Sequence, residues 1–148
     1  MNKLKNFFQN KKVLITGING FIGSNLAKYL LKKNAKIFGI IRKFDKNTLL
    51  FYEKLDKKIQ LFYGDTTDIQ LIKRIINEKN IKHIFHLAAQ VEVGVAMKYP
   101  FSTFESNIKG TYSVLEAART SSSKINSIIV ASSDKSYGEY PSSKLPYK

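Results

Sequence analysis

The stretch TGINGFIGSNLAKYL sets Gly17, Gly20 and Gly23 three residues apart, between the apolar run at residues 13–16 and an amphipathic segment. In a strand-turn-helix setting each glycine has a task. Gly17 permits the tight turn, Gly20 lets the backbone approach a pyrophosphate, and Gly23 lets helix and strand pack closely. Phe21, Ile22 and Gly23 would open the helix, whose free N–H groups attract phosphate. A second group, Ser133, Asp134 and Lys135 in ASSDKSYG, directly follows the last apolar run, where open α/β sheets carry their chemistry. A third candidate, Tyr140 and Lys144, has the four-residue spacing that puts two side chains on one helix face. Pro141 and Pro146 make that stretch a poor helix and a good loop, so the pair reads as a decoy.

These residues need a scaffold, and the hydrophobic pattern supplies one. Apolar runs at 13–16, 37–41, 59–63, 83–88 and 125–131 have strand length and alternate with helical segments at about 21–33, 47–55, 69–79 and 101–120. Asp68 can cap the third of these helices, which carries Ile69, Ile72, Ile75 and Ile76 on one stripe. The fourth has Phe104, Ile108, Tyr112 and Leu115 at helical spacing. Such alternation predicts an α/β fold: a Rossmann-type parallel sheet in the order 3-2-1-4-5 with helices on both faces. The sheet reads as incomplete at its C-terminal side, since nothing in the sequence covers the far edge of the fifth strand. Residues 1–10 read as an N-terminal arm and 11–148 as the dinucleotide-binding domain.

Composition narrows the function classes. With 148 residues the chain suits one domain rather than two. It has no cysteine, hence no disulfide and no thiolate metal ligand, which suits a cytoplasmic protein. The formal charge of +14 is spread over scattered lysines, and Arg42, Arg74 and Arg119 are the only arginines. That distribution argues against a nucleic-acid reader and for solvated helix faces that favour anionic ligands. No apolar run reaches membrane-spanning length. His83 and His86 flank the fourth strand without a ligand set, so they read as structural and no metal is expected. Glu92, Glu105 and Glu116 read as solvated faces or caps.

The glycine spacing resembles that of the extended short-chain dehydrogenase/reductase family, the NAD-dependent epimerases and dehydratases. Three further segments extend the resemblance over residues 11–148: YGDTTD with Asp65 and Thr66, IFHLAAQ with Leu87, Ala88 and Ala89, and STFESNIKGTYSVLEAAR with Asn107. It implies that Asp65 and Thr66 contact the adenine end of the cofactor. Leu87, Ala88 and Ala89 would pass beside the cofactor, and Asn107 would help hold the site. An acid beyond the glycine turn binds a ribose 2′-hydroxyl, whereas an arginine accepts a 2′-phosphate. Here Arg42 and Lys43 come first and Asp45 lies further out, which leans toward NADP; the cofactor is NAD or NADP.

Within the family, SDK followed by Tyr137 most resembles the CDP-glucose 4,6-dehydratase group, with a sugar nucleotide such as CDP-glucose as substrate. The resemblance implies that Ser133 hydrogen-bonds the sugar hydroxyl being oxidised and that Asp134 is the general acid for the departing C6 hydroxyl. Lys135 would steady the enolate-like charge or act at C5. An epimerase or reductase of the same family, or a noncatalytic dinucleotide-binding fragment, is the alternative. The resemblance also implies a homodimer in the full-length form. The family's tyrosine-lysine pair and substrate domain would fall beyond Lys148, so this chain alone is expected to be inactive.

Overall fold

The computed structural model describes residues 7–133 together with Ser136 and Gly138. Five parallel strands form one sheet: β1 (Lys12–Thr16), β2 (Lys36–Ile41), β3 (Gln60–Tyr63), β4 (His83–His86) and β5 (Ser127–Val130). Their order is β3-β2-β1-β4-β5, as the βα alternation predicts. The helices are α1 (Phe21–Lys32), α2 (Leu49–Tyr52), α3 (Ile69–Lys79), α4 (Val93–Lys98), α5 (Pro100–Phe104) and α6 (Gly110–Arg119).

Alternation along the strands divides the core into two layers. Leu14, Phe38, Ile40 and Ile84 face α3 and α6, where they meet Ile72, Ile75, Ile76 and Val114. Val13, Ile15, Ile37 and Ile41 face the other way, against Ala27 and Leu30 of α1 and Leu50 of α2. The first turn of α3 is capped by Asp68, whose Oδ1 accepts from Leu71 N at 2.9 Å. Its last turn ends at Asn80 in the left-handed region, a conformation asparagine tolerates. β5 is an edge strand, with Ile129 and Val130 exposed.

Three departures from the expected elements matter for the site. A short helix, α4, forms within residues that carry no helical signal in the sequence reading. The segment expected as one regular helix over 101–120 is instead α5 and α6 joined by a π turn, Glu105–Lys109, without a break in helical backbone. One extra residue in a turn leaves the hydrophobic spacing almost unaltered, so periodicity does not reveal it. The strand expected over 83–88 also ends early, at His86, which frees Leu87 and Ala88 to turn along the sheet edge.

Phe7 and Phe8 of the N-terminal segment pack edge-on against His83, with ring centroids 5.5 and 5.8 Å away. The same segment is held by Asn10 N, which donates to Asn34 O at 2.9 Å. This closes the N-terminal ends of the central strands.

Candidate functional site

At the opposite, carboxyl end of the sheet lies a cleft of about 530 Å³. β1 leads into it through Gly17, which adopts φ +67°, a conformation that strains any other residue. A Cβ there would also lie 2.8 Å from Ala88 N and from the Leu87 carbonyl. A Cβ on Gly23 would collide with Gly17 O, so the start of α1 can approach β1 only if that position has no side chain. Gly20 differs: its Cβ would meet only Gly17 O at 3.2 Å, with open space otherwise. Gly20 is the N-cap of α1, no side chain caps this helix end, and no acidic residue occupies its first turn. Unpaired N–H groups and the positive end of the helix dipole are therefore presented at the cleft, the arrangement that receives phosphate oxygens.

The remaining walls gather most of the residues singled out in the sequence. Phe21, Ile22 and Gly23 line the cleft beside the turn, Arg42, Asp65 and Thr66 line one end, and Leu87, Ala88 and Ala89 form the far wall. Arg42 Nη1 lies 3.9 Å from Asp65 Oδ2 on an exposed rim. Asp45 is turned to another use: its Oδ1 accepts from Asn47 N at 2.9 Å, and its carbonyl accepts from Thr48 Oγ1. Arg42, not an acid, thus occupies the cleft at the end of β2.

Asn107 does not line the cleft. Placed by the π turn, its Oδ1 accepts from Gln90 N at 2.7 Å and its Nδ2 donates to Gln90 O at 3.0 Å, pinning the chain just past the far wall. Ala131 and Ser132 bring the end of β5 to the cleft, and Ser133 follows them. Its carbonyl accepts from Ser136 N and Oγ. Asp134, Lys135, Tyr140 and Lys144 lie outside the described residues.

His86, expected from the sequence to be structural rather than a metal ligand, has a hydroxyl partner at each ring nitrogen. Thr16 and His86 are paired across the β1–β4 register, and both are buried. Thr16 Oγ1 accepts from Leu87 N and from Ala88 N, each at 3.2 Å, and lies 2.7 Å from His86 Nδ1. His86 Nε2 lies 3.1 Å from Thr111 Oγ1, which donates to Asn107 O at 2.6 Å. The available signal is a polar residue, Thr16 or His86, at the carboxyl end of each of two adjacent strands, directly after apolar residues.

Burial lowers the pKa of His86, and burial together with the nearby Lys11 charge lowers that of His83. Both imidazoles are therefore favoured neutral in the folded chain. Between each lowered value and the ordinary imidazole value of about 6.5 the unfolded chain binds more protons, so acid favours unfolding. The stabilisation is fully present above about pH 6.5 and is lost as pH falls through the lowered values. Urea unfolding midpoints are expected to fall on acidification from neutrality, and the fall should be shallower in His86→Phe.

Comparison with known proteins agrees with this geometry. A sequence profile for the family described as GDP-mannose 4,6 dehydratase matches residues 14–146. The chain belongs to that family. A GDP-mannose 4,6 dehydratase of Drosophila melanogaster is 37% identical over 140 residues, covering 88% of this chain and 35% of that protein. The CDP-glucose 4,6-dehydratase of Salmonella typhimurium is 31% identical over 134 residues, covering 90% and 37%. Among solved structures, the UDP-glucose 4-epimerase of Bifidobacterium longum, in complex with NAD+ and UDP, superposes with a TM-score of 0.74 at 26% identity, covering 86% of this chain and 38% of that one. The chain thus spans less than two-fifths of the length of each of these relatives. Its five-stranded parallel sheet is the Rossmann-type fold shared with these sugar dehydratases and epimerases.

Proposed function

We propose that the cleft binds NADP, or less favourably NAD, and that this chain is the cofactor-holding part of a nucleotide-sugar 4,6-dehydratase of the CDP-glucose type. The observation that carries the reading is the side-chain-free turn at Gly17, Gly20 and Gly23, which aims an uncapped helix end into a cleft with Arg42 at its rim. The dinucleotide would supply a reversible hydride acceptor. The chain's own residues hold and orient it: first-turn N–H groups on the pyrophosphate, Asp65 and Thr66 at the adenine end, and the Leu87 to Ala89 backbone beside the ring that reacts.

Ser133, at the carboxyl end of β5, would hydrogen-bond the sugar hydroxyl. Asp134 would protonate the departing C6 oxygen, a role that needs a carboxyl kept protonated by partial burial. Lys135 would stabilise negative charge developing next to the sugar ketone. Similarity to the Bifidobacterium epimerase supports a second reading, a sugar-nucleotide epimerase or reductase on the same scaffold. Mass spectrometry of products from CDP-glucose separates them, since a dehydratase product is lighter by one water and an epimer is not. A folded sample that binds neither NADP nor NAD would refute both.

Arg42 gives the cofactor preference a direct test. A 2′-phosphate paired with a guanidinium gains a charge-assisted hydrogen bond of about 1.5–3 kcal/mol. Arg42→Ala is expected to weaken NADPH binding by about tenfold or more and leave NADH binding nearly unchanged, read by fluorescence titration.

The outer face of α5, the π turn and α6 supports a homodimer. Phe104, Ile108, Tyr112 and Leu115 are 62, 58, 51 and 41% exposed, forming an apolar stripe on a helical surface that the fold leaves uncovered. If this face pairs two copies, Ile108→Asp shifts sedimentation to the monomer without lowering the melting temperature of the fold. Among the described residues no helix is long and apolar enough to cross a membrane. A cytoplasmic site of action suits a chain without cysteine.

A further inference from the structure

We propose that His86 is a positioning residue for the cofactor: as a neutral imidazole carrying its proton on Nε2, it sets the direction of the Thr16 hydroxyl and thereby fixes the far wall of the cleft. The inference rests on the dinucleotide reading for its consequence but not for its geometry.

Proton counting decides the tautomer. Thr16 Oγ1 has one proton and already accepts from Leu87 N and Ala88 N, so its proton is left for His86 Nδ1 at 2.7 Å. Nδ1 must then be bare and Nε2 protonated. Nε2–H donates to Thr111 Oγ1, and the Thr111 hydroxyl passes its own proton to Asn107 O. Every donor in the chain finds an acceptor in this direction. In the reverse direction Nδ1–H would point at an oxygen already accepting two N–H bonds, the Thr16 proton would lose Nδ1 as its acceptor, and the Thr111 proton would have two, Nε2 and Asn107 O.

What the relay holds in place is backbone, at the point where regular pairing stops. β4 ends at His86, and Leu87 N is shared between Thr16 O at 3.3 Å and Thr16 Oγ1 at 3.2 Å. Ala88 N donates to Thr16 Oγ1 at 3.2 Å. The same two residues form the wall that Gly17 approaches so closely. A Thr16 hydroxyl free to rotate would present its proton, rather than its lone pairs, to these N–H groups for part of the time, and the wall would lose its register against the glycine turn.

The test compares the wild-type chain with His86→Phe, which keeps a flat ring and removes both nitrogens, and His86→Asn, which keeps an acceptor near Nδ1. Three measurements are made: NADPH affinity, amide exchange at Leu87 and Ala88, and the nitrogen chemical shifts of the His86 ring at neutral pH. The wild type should show the Nε2–H tautomer. His86→Phe should weaken NADPH by about tenfold, the loss of one buried hydrogen bond, and speed exchange at Leu87 and Ala88 selectively. His86→Asn should recover most of both. An Nδ1–H tautomer overturns the proposal, as does His86→Phe with unchanged local exchange, or exchange that rises uniformly across the sheet in both variants. Failure of the wild type to bind NADPH would sink the dinucleotide reading alone, because tautomer and exchange still judge His86. Should His86→Phe not fold, the ring shifts and His86→Asn decide.

Discussion

Replacing Gly17 by alanine is expected to abolish dinucleotide binding and to cost the fold about 3 kcal/mol. Two independent terms add. An L residue at φ +67° pays about 1–2 kcal/mol, and a Cβ 2.8 Å from the Ala88 nitrogen and the Leu87 carbonyl must displace backbone, an overpacking cost of about 1–3 kcal/mol. The displaced backbone is the far wall of the cleft, and the displaced turn is what aims the first N–H groups of α1. Affinity for NADPH should therefore fall by at least about a hundredfold, beyond what destabilisation of a still-folded chain explains. Gly20→Ala is the informative partner. Its φ of −75° and ψ of 171° suit any residue, and its added methyl would meet only Gly17 O, at 3.2 Å, a contact relieved by a shift of a few tenths of an ångström. It should change stability by less than about 1 kcal/mol, an N-cap effect, while still weakening NADPH at the cleft. Thermal unfolding alongside titration separates the two glycines: one is required by the chain and the cleft, the other by the ligand alone.

The contrast shows how much of this site the sequence makes legible. Glycines at spacing three after a buried strand announce the turn, and alternation of short apolar runs with amphipathic stretches announces the sheet order, because both signals are local. Strand ends and the π turn at Asn107 are less visible. They depend on one residue more or less in a regular pattern, and Phe104, Ile108, Tyr112 and Leu115 keep helical spacing across the π turn. Asp45 illustrates the same limit: its distance from the glycine turn says nothing of whether its carboxylate faces a ribose, and here it is held by Asn47 N. Least legible is the Thr16–His86 contact, made between residues 70 apart whose meeting depends on the β1–β4 register.

Thr16→Val has the second large expected effect, and it isolates polarity from packing because valine matches threonine in shape. The change leaves Ala88 N–H without its Thr16 partner, returns Leu87 N–H to the longer bond to Thr16 O, and strips the hydroxyl from His86 Nδ1. A buried polar group left unsatisfied costs about 1–3 kcal/mol, so a total of about 3 kcal/mol is expected with an unchanged core volume. Thr16→Ser removes a methyl and keeps the hydroxyl. In the fully buried environment of Thr16 that costs about 1 kcal/mol, roughly one methylene of transfer with a small cavity. The order of unfolding midpoints, wild type above serine above valine, would show that the hydroxyl outweighs the methyl; the reverse order would show that β1 needs bulk there and that the hydrogen bonds are incidental. NADPH affinity adds a second axis. Serine can still offer two lone pairs to Leu87 and Ala88 and a proton to His86, so it should bind nearly as the wild type does, while valine should lose at least about tenfold even at temperatures where it is fully folded.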